Sequence, residues 1–485
     1  MRLFRRILFY LFFTLYLVLC PAIIFYALGY IFVPKADEGF VKTGLIHIET
    51  LPANASLTIA DRRYTEKTPA TIRNLLAGPY KLKVSFPGYR PWAKDVLVAP
   101  GKANNFEKVL LLPVNLKTRI VVPQTFETLM PLPETRFLLL RGSEMAGDLK
   151  AFDWRGGALR SIVPPGSPLA SSRILRIFTA KESSFILLQV RAPSGVKFWG
   201  VPVDKEKPEV KDLSSLFLQG EPREVLWEGG RPDFLFALYD KSLERLDLDE
   251  MTASKKTLAQ VRGMGLFRGK IYELSGSSIV RENFGTKPSE GTLIEKGLFL
   301  ENLFRENGKF KMDFISGNTL CFHGDQGELF SNVLPYRFVE KGVRGYQPDS
   351  DGQKIVLWQM ARLGILDFEK PGRKKEFFER GPEIEWIFEA GLDLRQAYFV
   401  YEASHVLFLD GDQVSLARIG EGEPLVEKLV KVRRKSGIFY AEKTGKLYYL
   451  EPLHGELAVA DILPEGISFS GVISELEKDN LGEVK

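Results

Sequence analysis

The chain reads as an all-β protein behind one membrane-spanning helix: a small β-sandwich, then a β-propeller of seven or eight blades, eight by the count of hairpins. Three observations predict this. Residues 7–33 carry no charge, residues 43–113 switch to a period of two punctuated by turn residues, and from residue 114 one strand–turn–strand unit recurs. The expected order is a basic cytoplasmic tail at 1–6, the helix at 7–33, the sandwich at 43–113, the propeller at 114–472 and a polar tail at 473–485.

Composition agrees with a folded body. Of 485 residues, 45% are hydrophobic and 26% charged, which excludes a disordered or collagen-like chain, and 35 Phe, 16 Tyr and 6 Trp suffice for a large core. The 66 basic and 61 acidic residues give +5, but Arg2, Arg5 and Arg6 supply three of those charges, leaving 63 against 61 over residues 34–485. A near-neutral body lacks the basic footprint of a nucleic-acid binder, so no nucleic-acid partner is expected. Two cysteines exclude a disulfide scaffold, and Cys20 and Cys321 read as small buried hydrophobes. Four isolated histidines and no HExxH or CxxC spacing give no reason to expect a metal or a cofactor.

At the amino terminus, MRLFRR precedes 27 uncharged residues, Ile7 to Val33. As a helix these span about 40 Å, more than a hydrocarbon core of about 30 Å. Phe4 and Tyr10 crowd one end and Tyr26, Tyr30 and Phe32 the other, as aromatic belts do; three Arg before the run place the amino terminus in the cytoplasm and residues 34–485 outside it. The apolar run is too long for a signal-peptide core, although Ala27-Leu28-Gly29 is a small-x-small cleavage site, and cleavage there releases a secreted protein. Leu19 before Cys20 argues against a lipoprotein signal.

From residue 43, LIHIET, SLTIA, YKLKVSF and DVLVA have strand length and alternation, separated by LPAN, TP, AGP, PGYRP and APG. Two apolar faces turned inward make a small antiparallel sandwich, with Pro52, Pro69, Pro79, Pro87, Pro91 and Pro100 at strand ends. The stretch GLIHIETLPANASLTIADRRYTEKTPATIRNLLAGPYKLKVSFPGYRPWAKDVLV, with Pro52-x-x-Ala55, Thr68-Pro69, Leu76-x-Gly78-x-Tyr80, Gly88-Tyr89 and Trp92, resembles the PEGA domain, a small β-sandwich of bacterial and archaeal envelope proteins. It departs where the family takes its name, since Pro52-Ala53-Asn54-Ala55 lacks the central Glu-Gly, and proline follows Gly78 instead of preceding it. The resemblance implies an envelope interaction role with no known catalytic site. Tyr89 and Trp92 are the possible ligand contacts, as sugar-stacking rings; the competing role is as aromatic plugs closing one end of the sandwich.

Beyond residue 114 the apolar anchors Phe137, Phe185, Phe234, Ile271, Phe314, Ile355, Tyr398 and Ile438 are spaced 48, 49, 37, 43, 41, 43 and 40, the period of four-stranded blades. They are taken as equivalent inner strands. YQPDSDGQKIVLW resembles the turn-plus-strand of TolB-like and WD40-like propeller repeats, with Gly352 at the turn position that needs positive φ. Arg119-Ile120-Val121-Val122 is placed to pair with the last blade and close the ring. A stacked pair of β-sandwiches is the alternative architecture.

Catalytic signatures are absent. GMGLFRGKI, Gly263 to Ile271, has the wrong spacing for a phosphate-binding loop, GISFSG near Ser468 is not a nucleophile elbow, and Asp349-x-Asp351-Gly352 lacks the further acidic ligands of a calcium loop. Arg373-Lys374-Lys375 and Lys431 with Arg433-Arg434-Lys435 are basic clusters suited to solvated surface or to anionic envelope polymers. The expected function is a membrane-tethered extracytoplasmic interaction protein whose propeller binds an envelope protein or glycan. The alternative is an extracytoplasmic hydrolase or lyase acting on envelope polysaccharide.

Overall fold

A computed structural model of the chain describes residues 2–32, 39–179, 183–228, 233–240, 242–257, 261–267, 270–275, 278–281, 292–296, 308–315, 319–332, 337–369, 383–419 and 425–463. They fall into two compact units, residues 1–117 with 461–485, and residues 118–460.

The first unit opens with helix α1, Arg2–Ala27. Ile7–Ala27, 21 residues of mean hydropathy 2.5, is long and apolar enough to cross a membrane, and none of it is buried against protein. The helix passes through Pro21 but ends at Ala27, short of the Val33 that charge alone predicts. The N–H groups of Leu28 and Gly29 still bond the carbonyls of Ile24 and Tyr26, and Gly29 then turns at φ +82°, a conformation only glycine adopts at no cost. Tyr30–Phe32 is therefore extended, pairing antiparallel with Phe40–Lys42. An apolar sequence specifies transfer from water, not helix, and the glycine decides where the helix stops.

The sandwich has a three-stranded sheet ordered Ala70–Leu75, Gly44–Leu51, Ala103–Leu110 and a four-stranded sheet ordered Arg62–Lys67, Ser56–Ile59, Gly78–Ser85, Trp92–Val98. Period-two alternation turns Ile46 and Ile48 of one sheet toward Leu57, Ile59, Leu82 and Val84 of the other, all in one buried cluster. The sheets are not wholly antiparallel, because Gly44–Leu51 pairs in parallel with Ala103–Leu110. Of the six prolines, only Pro79 lies within a strand, as its second residue.

Among the described residues the second unit is a propeller of eight four-stranded blades, with strands lettered A to D from the first to the last. Blades 1 to 7 occupy 128–161, 173–212, 224–257, 261–296, 310–340, 345–388 and 394–431; blade 8 joins Phe439–Ala441, Lys446–Leu450 and Glu456–Asp461 to Thr118–Thr125 as its strand D. That strand runs from Thr118↔Ala460 to Thr125↔Glu456, so the first strand closes the last blade as expected. Apolar side chains fill the gaps between blades: one cluster packs Phe126, Leu138, Leu140 and Phe152 against Tyr448, Leu450, Leu457 and Val459, tying blade 8 to blade 1.

The eight anchors are not equivalent. Phe137, Phe185, Phe234, Ile271 and Ile355 lie on B strands, Phe314 and Tyr398 on A strands, and Ile438 just before one. Both A and B strands are apolar, so a run of hydrophobic residues finds the blade but not the strand within it. Blades 4 and 5 are further fused into one eight-stranded sheet by parallel pairing of their A strands, Gly263↔Phe310 and Met264↔Lys311. Gly263 and Gly265 permit this approach, since a Cβ on either would fall 2.3 Å from the Phe310 carbonyl oxygen or 2.7 Å from that of Met312.

Candidate functional site

The two aromatic candidates separate by depth. Trp92 is 6% exposed in the sandwich core, with its ring edge-to-face against Phe106 at 5.8 Å. It has no open face for a sugar ring and serves as packing. Tyr89 is half-buried against the same core, edge-on to Phe86 at 5.3 Å, and its backbone bridges to Pro113.

In the propeller, antiparallel strand order sorts the loops onto two faces. Loops between strands A and B and between C and D lie on one face; loops between B and C, and from D to the next blade, lie on the other. Thr118 and Ala460 are register partners at the C–D end of blade 8, so the chain enters and leaves the ring at the first face, the attachment face. The far face carries a set of large exposed apolar side chains at its loop tips: Leu218 at 88%, Leu392 at 80%, Leu453 at 79% and Met360 at 56%. Met145 is exposed on the same face.

Backbone bonds knit part of this face into one sector. Gly391 and Leu394 donate to the carbonyls of Ala361 and Met360, both at 2.9 Å, and the Leu392 N–H donates to Asp410 Oδ1. Val432 donates to Asp412, and Arg433 to Leu450. Met360, Leu392 and Leu453 thus flank the basic loop Arg433-Arg434-Lys435, where Arg434 lies 3.8 Å from Asp412 and remains largely solvated. The other basic cluster, Arg373-Lys374-Lys375, lies outside the described residues, as do Arg268-Gly269 and the region of Ser468.

A second feature occupies the A strands of blades 3, 5 and 6. Lys311 Nζ sits 3.1 Å from Asp313, which also accepts a 2.5 Å hydrogen bond from Tyr346 Oη. The Asp313 charge raises the Lys311 ammonium, while burial and then Asp313 push the Tyr346 phenol well above its usual range. Burial raises Glu224 to about 7 against the opposing pull of Lys311 and Arg223. Burial makes the Glu224 carboxyl easier to protonate than an exposed one, and Lys311, Asp313 and Tyr346 form a Lys–Asp–Tyr contact; the arrangement contains no activated nucleophile.

The remaining motifs resolve into ordinary structure. Asp349 Oδ1 accepts from the backbone N–H groups of Gln353 and Lys354, and Gly352 has φ +68°, which makes this stretch a hairpin turn. Within GMGLFRGKI, strand Val261–Phe267 pairs antiparallel with Lys270–Ser275. Among the described residues no group of His, Cys, Asp or Glu is placed to hold a metal ion. The far-face leucines and the Glu224 cluster escaped sequence reading, although an apolar residue inside a turn string such as AGLD, or a charge inside EVLW or KMDF, is the signal that finds them.

Comparison with known proteins identifies a PEGA domain over residues 43–111. No curated protein matches the chain. Among solved structures it is similar to the β-propeller domain of Cps50 (Swd1) from Myceliophteria thermophila, at 10% identity over 72% of this chain and 98% of that one, with a TM-score of 0.40. It is also similar to Hsv2 of Kluyveromyces lactis, at 8% identity over 63% and 98% with a TM-score of 0.40. A third likeness is to YCF48 bound to D1 peptide, at 10% identity over 72% and 95% with a TM-score of 0.36.

Proposed function

We propose that this chain is a membrane-tethered extracytoplasmic interaction protein: α1 anchors it with the amino terminus in the cytoplasm, and the propeller binds an envelope protein through its far face. The observation that carries the reading is the segregation of the propeller's two faces. The chain is attached at one, and Leu218, Met360, Leu392 and Leu453 stand exposed on the other. Apolar side chains held out at loop tips gain roughly 1.5–3 kcal/mol each when fully covered, and their clustering on one face favours a protein surface as the cover. The PEGA domain between anchor and propeller is consistent with an envelope setting.

A photo-crosslinking amino acid placed in living cells at 218, 392 or 453 tests the face, with 251 and 425 on the attachment face as controls. Adducts to a common partner at the first set and none at the second are expected; equal crosslinking from both sets refutes the assignment. Orientation is tested by protease added to intact spheroplasts. It is expected to degrade the body of the chain and leave a short membrane-protected stub, whereas an undigested full-length band overturns it.

A further inference from the structure

On the attachment face, between blades 1 and 2, lies a polar pocket of about 300 Å³ lined by Glu134, Thr135, Arg136, Phe137, Arg155, Ser184 and Asp204. The topology explains its make-up. The A–B and C–D turns of blade 1 supply Glu134–Arg136 and Arg155, and the corresponding positions of blade 2 supply Ser184 and Asp204. Each of its two guanidinium groups lies over an aromatic ring. Arg136 bonds through Nε to Oδ2 of the buried Asp153 at 3.3 Å and lies over the Phe137 ring at 5.2 Å. Arg155 lies over the Trp154 ring at 5.1 Å, while its own N–H and that of Gly156 donate to Asp153 Oδ1.

The lining does not select for charge. It carries two anions, Glu134 and Asp204, against two cations, Arg136 and Arg155, which cancel, and Asp204 is an exposed acceptor. Thr135 spends its hydroxyl on the Leu132 carbonyl, leaving donors on two arginines, an acceptor on Asp204 and a hydroxyl of either kind on Ser184. Neighbouring donors and acceptors without net charge match a ligand whose every polar group both donates and accepts. We infer that this pocket is a binding site for a neutral sugar unit, held by hydrogen bonds from Arg136, Arg155, Ser184 and Asp204. The inference rests on the reading of the propeller as an interaction module, but uses the opposite face from the apolar loop tips.

The test is saturation-transfer NMR on the full chain in lipid nanodiscs, with glucose, galactose, mannose and N-acetylglucosamine each added at millimolar concentration. At least one sugar is expected to receive magnetisation, and Arg136→Ala and Arg155→Ala are each expected to weaken its binding about tenfold or more, the loss that follows from removing charge-assisted hydrogen bonds. Arg155 is exposed, so Arg155→Ala is expected to keep a melting temperature near that of the parent and unfolding does not account for its loss of binding; Arg136→Ala also leaves the buried Asp153 carboxylate without its guanidinium and is expected to melt lower, so its binding is measured well below its melting temperature. Leu392→Asp, on the far face, is expected to leave sugar binding unchanged while abolishing the partner adduct, which separates failure of this site from failure of the far-face reading. No transfer to any of the four sugars overturns the inference, as does binding that survives both arginine substitutions. Binding of glucuronate or inorganic phosphate alone also overturns it, assigning the pocket to an oxyanion.

Discussion

Phe126 tests whether ring closure and inter-blade packing hold the propeller together. It follows the closing strand, is wholly buried, and packs in the cluster that joins blade 8 to blade 1; its N–H donates to the Gly455 carbonyl at 2.9 Å. Phe126→Ala keeps that backbone bond and removes only the ring. Truncation of a buried Phe among rigid neighbours costs about 3–5 kcal/mol, because the transfer term is lost and the cavity does not collapse. A propeller of about 340 residues unfolding as one unit has a melting entropy near 0.7 kcal/mol/K, so the melting temperature falls by about 4–7 °C. Phe314→Ala is the internal comparison. Its ring is only half-buried, stacked on Phe267 at 4.8 Å and against Tyr272 at 4.9 Å, so about half the cost is expected. Calorimetry of both variants at fixed scan rate measures the difference. An effect of Phe126→Ala no larger than that of Phe314→Ala refutes the reasoning that the fully buried closing contact holds the ring more strongly than a half-buried ring does.

Other outcomes follow from particular residues. His405 is 4% exposed, and burial first, then Arg418, lowers it from 6.5 to about 3; Ser404 Oγ lies 2.8 Å from its Nδ1. The folded state therefore favours the neutral ring, and stability present above pH 6.5 is lost as pH falls toward 3, by roughly 5 kcal/mol at the acid limit. His405→Gln is expected to flatten the pH dependence of denaturant midpoints across that window, and an unchanged slope counts against the assignment. Gly263→Ala is expected to cost several kcal/mol, or to give insoluble protein, because the new Cβ meets a backbone carbonyl that cannot move without breaking the A-strand pairing of blades 4 and 5; a parent-like melting curve contradicts this. Trp92→Ala is expected to destabilise the sandwich by about 3–5 kcal/mol, seen as earlier proteolysis within residues 43–111, while the propeller melts as before. A single shared transition instead indicates that the two units unfold together.

Much of the architecture is local and was therefore legible in the residues. Absence of charge over 7–33 identifies an apolar segment, alternation in LIHIET or YKLKVSF identifies strands with one buried face, and recurrence near 43 residues identifies blades, because each pattern follows from the geometry of a single element. Even closure by Arg119–Val122 could be expected, since an unpaired first strand and an open last blade demand each other. What alternation does not contain is which strand of a blade an apolar run becomes, or which face of a ring a loop reaches. Phe314 and Tyr398 on A strands, Trp92 inside the sandwich, and Leu218, Met360, Leu392 and Leu453 gathered on one face are outcomes of strand order across more than two hundred residues. The same holds for the pocket of Arg136, Arg155, Ser184 and Asp204, whose members are unremarkable turn residues in the sequence and converge only where blade 1 packs against blade 2. Tertiary structure alone decides such sites, because hydrophobic patterning selects the inside of each element while the meeting of side chains from separate blades depends on how the closed ring sets one blade against the next.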